Sequence, residues 1–112
     1  MSLRDDLVLI HDMLDAAKEA VSFVRGKTRD DLNQDRKLVL SLVHLVEIIG
    51  EAAGKIGKKF QDSHPEIPWR VMVGMRNRLV HAYFDIDLDR VWDTANDDLP
   101  PLIEKLSKIS GV

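Results

Sequence analysis

Residues 76–83, RNRLVHAY, bring together side chains that could act on a phosphodiester. On a continuous helix, at roughly 100° per residue, Arg76 and Tyr83 lie almost on one line and Asn77 and His81 on an adjacent line. A guanidinium can neutralise two phosphate oxygens at once, and an imidazole can transfer a proton near neutral pH. The pattern therefore predicts a phosphate-binding strip, although an arginine and a histidine on one helix are more often only a solvated face.

RNA cleavage is the chemistry that suits this strip, because the 2′-hydroxyl of RNA can attack its own phosphate without a metal. His81 is the candidate general acid or base, a role worth about 10²–10⁴-fold in rate. Arg76 is the candidate that stabilises the developing negative charge. Asn77 is expected to orient the imidazole, and Tyr83 to hydrogen-bond phosphate or base. Such chemistry prefers two proton-transferring groups, so a symmetric dimer that pairs two strips is also expected.

The composition predicts a single folded domain, which we assign to residues 1–112. The chain is 45% hydrophobic and 31% charged, as in ordinary globular proteins. The absence of cysteine excludes disulfides, thiolate zinc sites and cysteine nucleophiles, and favours a reducing compartment. The net charge of -3 argues against indiscriminate nucleic-acid binding. With neither a secretory signal nor an apolar run long enough to span a bilayer, we expect a cytoplasmic protein without a membrane partner.

Helical periodicity runs nearly from end to end. Ser2 and Asp5 form a capping-box pattern that begins a first helix, and Gly26 is a stop signal for it. A second helix is expected from position 33 or 35 to about 56. Its middle is apolar on more than one side, so it is either the central helix or one that also meets another subunit. Gly50, with Gly54 four residues later, would let a neighbouring helix approach it closely.

The second half of the chain is predicted as a loop and two further helices. Residues 58–68 contain two prolines and are expected to form a loop, followed by a third helix over 68–83. Asp85 or Asp87 is expected to cap a last helix, which Pro100-Pro101 should kink or split. The expected fold class is therefore all-α, an up-and-down bundle of four main helices.

A metal site is the main alternative considered for the second helix. His44, Glu47 and Glu51 follow each other at three- and four-residue steps, as metal ligands do in some helical bundles. A matching carboxylate–histidine pair is weak elsewhere, so no metal is predicted, and a histidine bonded to a carboxylate is the favoured interpretation. Glu51 could instead face the third helix and pair with Arg76 or Asn77. The chain also lacks a glycine-rich phosphate loop, and no cofactor is predicted.

Beyond these arguments, the sequence resembles a known family. Arg76, His81 and Tyr83 match the R-x4-H-x-Y signature of the HepT-like ribonucleases, which belong to the HEPN superfamily (higher eukaryotes and prokaryotes nucleotide-binding). The likeness continues in order along most of the chain, in the segments IIGEAA (48–53), PEIPWR (65–70), GMRN (74–77), YFDID (83–87) and VW (91–92).

The resemblance implies an up-and-down helical homodimer with its active site in a cleft at the dimer interface. It implies a metal-independent endoribonuclease with Arg76 and His81 as catalytic residues and Asn77 as a supporting polar residue. Such a protein typically serves as the toxin of a toxin–antitoxin pair of the type VII kind. The antitoxin partner is a minimal nucleotidyltransferase, which can silence the toxin by transferring AMP to the motif tyrosine, here Tyr83.

The interpretation is therefore a cytoplasmic, dimeric ribonuclease toxin that leaves 2′,3′-cyclic phosphate ends on its RNA substrate. Two alternatives stay open from the sequence. The chain could be a non-catalytic HEPN module that binds a nucleotide or the partner nucleotidyltransferase. It could also be a structural dimer whose polar strip closes an interface, although burying such side chains together is costly unless all are paired.

Overall fold

A computed structural model describes residues 2–82 and 85–110, and it confirms the all-α prediction. Within these ranges the only extended pairing is an isolated antiparallel bridge between Val80 and Ile86. The elements in chain order are α1 (Leu3–Val24), α2 (Asp31–Gln34), α3 (Arg36–Lys55), α4 (Lys58–Ser63), α5 (Trp69–Val73), α6 (Met75–Leu79), α7 (Leu88–Asp93), a π-helical turn (Thr94–Asp98) and α8 (Leu99–Ser110).

The first long helix begins and ends as its sequence signals predict. The Ser2 hydroxyl accepts a hydrogen bond from the Asp5 N–H at 3.2 Å, and the Asp5 carboxylate accepts one from the Ser2 N–H at 3.3 Å. This reciprocal pair satisfies two N–H groups that the first helical turn leaves free. At the other end Gly26 takes a φ of +76°, a conformation that costs glycine little.

Helix α3 is the central helix of the bundle, which confirms one of the two roles predicted for it. It packs against α1, α2, α5, α6 and α7. The Asp35 carboxylate caps its start by accepting from the Leu38 N–H at 3.0 Å. The core it organises contains large, fully buried side chains from every long element, among them Ile10, Leu14, Leu42, Ile49, Met72, Leu79, Leu99 and Leu106.

Gly50 fixes how closely α5 lies against α3. A Cβ at this position would lie 3.0 Å from the Met72 carbonyl oxygen and 3.3 Å from that of Val73, tighter than nine in ten Cβ contacts in proteins. At Gly54 the nearest atom would be a Val73 methyl carbon at 3.9 Å, an ordinary contact. The predicted close approach is therefore confirmed, and it depends on Gly50 more than on Gly54.

The last helix is split where the sequence predicts. Helix α7 begins at the Asp87 cap, whose carboxylate accepts from the Arg90 N–H at 3.0 Å. Pro100 and Pro101 have no N–H, so a regular α-helix cannot continue unchanged through them. A π-helical turn precedes the two prolines, with the Leu99 N–H donating to the Thr94 carbonyl, and α8 follows.

Two predictions about the segment between α3 and α7 are wrong. The expected loop at 58–68 contains α4, whose Phe60 side chain is buried and whose start is held by the Asp6 carboxylate, 2.9 Å from the Gly57 N–H. The expected helix at 68–83 is broken at Gly74 and ends at Leu79. Buried Val80 is extended and pairs with Ile86, and β-branched side chains favour that conformation.

None of the helices in the described residues is both long enough and apolar enough to cross a membrane.

Candidate functional site

Helix α6 turns Arg76 outward toward α3. Met75 and Leu79 of this short helix are buried in the core at 5% and 0% exposure. Residues between them must therefore lie on the outer side, and Arg76 and Asn77 face the surface of α3. The close approach at Gly50 brings α5, and with it the start of α6, against α3.

Arg76 and Asn77 line an open groove of about 420 Å³ between α3 and the α5–α6 segment. The α3 side consists of Glu47, Gly50, Glu51 and Gly54, and Val73 completes the lining. The groove therefore joins Glu51 with Arg76 and Asn77, three residues that the sequence placed in one site. It carries two carboxylates and one guanidinium, so it is not locally basic.

The carboxylate nearest to Arg76 among the described residues belongs to Glu47 and not to Glu51. Its Oε2 atom lies 3.5 Å from the Nε of Arg76, and its Oε1 atom lies 3.8 Å from the Nδ1 of His44. The Arg76 side chain is 41% exposed, yet its Nε atom is inaccessible to solvent and makes no hydrogen bond in the described structure. Among the described residues, Glu47 is thus the acidic side chain within ion-pair distance of this edge of the guanidinium.

His81 lies beyond the end of α6, in a turn that reverses the chain. Its N–H donates to the Asp85 carbonyl at 3.0 Å, and the Asp87 N–H donates to the carbonyl of Leu79 at 2.8 Å. The imidazole is 58% exposed, with its Nε2 atom 3.9 Å from the Oδ2 of Asp87. The turn, and not helical spacing, therefore determines where this imidazole points.

The structure accordingly brings together some of the predicted site residues and separates others. Arg76, Asn77 and Glu51 share the groove, whereas His81 is not among the described residues that line it. The predicted helical alignment of Asn77 with His81 is wrong, because the helix ends between them. Tyr83, the remaining member of the predicted strip, lies outside the described residues.

Two residues near the site were not assigned to it from the sequence. Glu47 was considered only as a metal ligand or as a carboxylate bonded to a histidine, and Asp87 only as a helix cap. Asp87 does cap α7, but its second oxygen also faces His81. Position 47 lies one helical turn before Glu51, so helical spacing could have marked it as a second carboxylate facing α6. In the described residues no group of three or more histidine or acidic side chains could hold a metal ion.

Further arginines lie on the opposite side of α6. Arg78 and Arg90 line a separate groove of about 470 Å³ between α5–α6 and α8, together with Asp97 and Asp98. Arg76 and Arg78 therefore lie on two different surfaces, because residues two apart on a helix point in different directions.

Comparison with known proteins identifies the family. The family model described as Ribonuclease HepT-like matches residues 13–109. The chain belongs to the HepT-like ribonuclease family. The resemblance seen in the R-x4-H-x-Y segment is thus confirmed over nearly the whole chain.

This chain matches individual relatives over almost their full length. A protein named as a probable ribonuclease HepT from Thermococcus cleftensis is 39% identical over 102 residues, which are 88% of this chain and 93% of the relative. A protein named as a candidate RNase from Methanocaldococcus jannaschii is 32% identical over 102 residues, 91% of this chain and 94% of the relative. No solved structure matches the chain.

Proposed function

We propose that this HepT-like chain is a metal-independent endoribonuclease in which Arg76 and His81 act on one phosphodiester. The observation that carries the proposal is the intact R-x4-H-x-Y segment, in which both groups are accessible to a substrate, at 41% and 58% side-chain exposure. Membership of a ribonuclease family and the names of the relatives support the same reaction class.

The proposed step is an internal transesterification that consumes no water. The 2′-hydroxyl loses its proton and forms a new P–O bond, while the bond from phosphorus to the 5′-oxygen breaks and that oxygen takes up a proton. The products are a 2′,3′-cyclic phosphate and a free 5′-hydroxyl. Arg76 stabilises the extra negative charge on the pentacoordinate phosphorus, and His81 transfers one of the two protons.

A homodimer is part of this proposal. Within one chain Arg76 faces the α3 groove and His81 faces Asp87. Each chain supplies one motif histidine, so a symmetric pair of chains would bring two proton-transferring groups to one crevice. Leu40 and Val73, 46% and 50% exposed, are apolar side chains available to such an interface. A solution mass near twice 12.7 kDa supports this assembly, and a strictly monomeric yet active protein contradicts it.

We further propose a biological setting in the cytoplasm as the toxin of a type VII-like pair. The antitoxin would be a minimal nucleotidyltransferase that transfers AMP to Tyr83. An adenylyl group on this tyrosine, two residues after His81 in the sequence, adds negative charge that opposes the binding of RNA phosphates. Intact-mass measurement after incubation with the cognate partner and ATP should show one added AMP, absent in Tyr83→Phe. An unchanged mass with an active partner counts against this mode of control.

The enzymatic proposal is tested with purified protein and single-stranded RNA. His81→Ala and Arg76→Ala should each abolish cleavage while the circular dichroism spectrum and melting temperature stay close to wild type. Removing a general acid or base costs about 10²–10⁴-fold, and removing a fixed charge-stabilising donor about 10²–10³-fold. Full activity in either variant rejects the assigned role.

A second candidate function is a binding module that cuts nothing. It is favoured by the carboxylates that face both motif residues, Glu47 beside Arg76 and Asp87 beside His81. Growth separates the two functions. Expression of the wild-type chain without its partner should harm cells only if it cuts RNA, and the His81→Ala chain should then be harmless. If neither chain harms cells, the result favours the binding module.

A further inference from the structure

We propose that Glu47 is a positioning residue for Arg76, holding the guanidinium by its inner edge so that the outer edge meets the scissile phosphate. The proposal rests on the ribonuclease function proposed above and deepens it. Neither the sequence pattern nor any relative assigns this residue a role at the site.

The contact is directed at one particular atom of the guanidinium. The Oε2 of Glu47 lies 3.5 Å from Nε, slightly beyond ideal hydrogen-bond geometry, and no other described group is bonded to that nitrogen. A small rotation of either side chain would complete a charge-assisted hydrogen bond. The other carboxylate oxygen faces the Nδ1 of His44 at 3.8 Å, so the carboxylate is held between a side chain on its own helix and one on α6.

The accessibility of Arg76 shows which edge is left for a substrate. The Nε atom is inaccessible to solvent, although 41% of the side chain is exposed. The exposed area therefore belongs to other atoms of the side chain, and binding of a phosphate requires the terminal nitrogens of the guanidinium to be among them. A guanidinium can bind two phosphate oxygens through such a pair of donors while a carboxylate occupies Nε.

The backbone beneath this contact is suited to holding the arginine in place. Glu47 lies on the long central helix one turn before Gly50, whose missing side chain lets α5 pack closely on α3. Helices position functional groups more accurately than loops do. Glu51 lines the same groove, but it is Glu47 that lies within ion-pair distance of Arg76.

A stabilising role alone does not account for the contact. Glu47 and Arg76 are both 41% exposed, and ion pairs of this exposure contribute little to stability. Losing Glu47 should instead affect catalysis in two opposite ways. A guanidinium without its anchor is misplaced in the transition state, which lowers kcat, whereas removing a negative charge from the groove strengthens ground-state binding of RNA, which lowers KM or leaves it unchanged.

The experiment measures kcat and KM for RNA cleavage in the wild-type chain and three variants. Glu47→Gln should lower kcat between about ten- and a hundredfold, since small misplacements of a catalytic group cost up to that much, without raising KM. Glu47→Asp, which keeps the charge, should recover part of the lost kcat. Glu104→Gln is the matched control, because it removes a carboxylate from another exposed ion pair, with Lys108 at 3.9 Å on α8, and should leave both constants unchanged.

A second readout does not depend on cleavage. In wild-type protein the Nε–H of Arg76 should give a slowly exchanging NMR signal, assigned by its absence in Arg76→Lys, and Glu47→Gln should lose that slow exchange. If wild type cuts no RNA but the signal responds to Glu47→Gln, the enzymatic proposal fails while the positioning contact stands. The inference is overturned if Glu47→Gln has the kcat of wild type and an unchanged Nε–H signal. It is also overturned if the loss of kcat in Glu47→Gln is fully explained by a lower melting temperature, because the protein is then merely less folded.

Discussion

Gly50 and Gly54 allow a sensitive test of how α3 and α5 are held together. Both lie in α3, four residues apart, with Gly54 in the last turn, and each can be replaced by alanine. The two sites differ in what the added methyl group meets. At Gly50 it meets two backbone carbonyl oxygens, at 3.0 and 3.3 Å, whereas at Gly54 it meets the end of a valine side chain at 3.9 Å.

The difference in unfolding free energy between the two variants isolates the cost of this clash. Replacing glycine by alanine inside a helix stabilises a protein by about 1 kcal/mol, and a gain of up to this size applies at each site, smaller at Gly54 near the helix end. Forcing an extra carbon into a packed position costs typically about 1–3 kcal/mol, and backbone oxygens cannot rotate away as a side chain can. Gly54→Ala should therefore be more stable than wild type, and Gly50→Ala less stable than Gly54→Ala by about 1–3 kcal/mol.

Urea unfolding followed by circular dichroism measures this difference, with all proteins at one concentration because assembly can contribute to stability. For a domain of this size the difference corresponds to at least about 4 °C in melting temperature. Gly50→Ala should also cut RNA more slowly than Gly54→Ala, since α5 precedes the helix that carries Arg76. Equal stability of the two variants would refute the close packing on which this reasoning depends.

Two other carboxylates lead to distinct predictions. Asp6 is 5% exposed and accepts the Gly57 N–H at 2.9 Å, so Asp6→Ala should lower the unfolding free energy by about 1–3 kcal/mol. Asp6→Asn, which keeps an acceptor oxygen, should lose less, and equal losses in urea unfolding would argue against the hydrogen bond. Asp87 caps α7 and faces His81, so Asp87→Ala should lose about 1 kcal/mol of stability, whereas Asp87→Asn, an equally good cap, should not. Both Asp87 variants should cut RNA more slowly, and full cleavage by Asp87→Asn would limit this residue to its capping role.

The helices that could be predicted are those whose signals are local. The capping box at Ser2 and the stop at Gly26 depend only on neighbouring residues, and both formed as expected. The split before Pro100 follows from the missing proline N–H and was equally predictable. The close approach at Gly50 was predicted from the spacing of two small residues, although the sequence did not indicate which of them is essential.

The errors arise where distant parts of the chain decide the local structure. Helix α4 depends on Asp6, which is 51 residues away from the N–H it binds. The end of α6 depends on the returning chain, which pairs Ile86 with Val80. The helical periodicity of the sequence continues through Val80 and does not indicate that the chain turns back there. His81 was therefore predicted to lie on the helix, although the helix ends before it.

The sequence predicted three residues of the candidate groove but neither the position of His81 nor the partner of Arg76. The spacing of Arg76 and Asn77 and the proximity of Glu51 to α6 were foreseen, and the three share one groove. The partner of Arg76 was not foreseen, because Glu47 and Glu51 lie one turn apart and either could face α6. Only the packing of α5 and α6 on α3 selects Glu47.

The most direct test of metal-free attack by the 2′-hydroxyl is cleavage of a matched pair of oligonucleotides in the presence of a chelator. One oligonucleotide is RNA throughout, and the other lacks the 2′-hydroxyl only at the nucleotide where the first is cut. Efficient cutting of the first with a cyclic phosphate terminus, and resistance of the second at that position, is the predicted result. Equal cutting of both, or activity that disappears with the chelator and returns with a divalent ion, would contradict it.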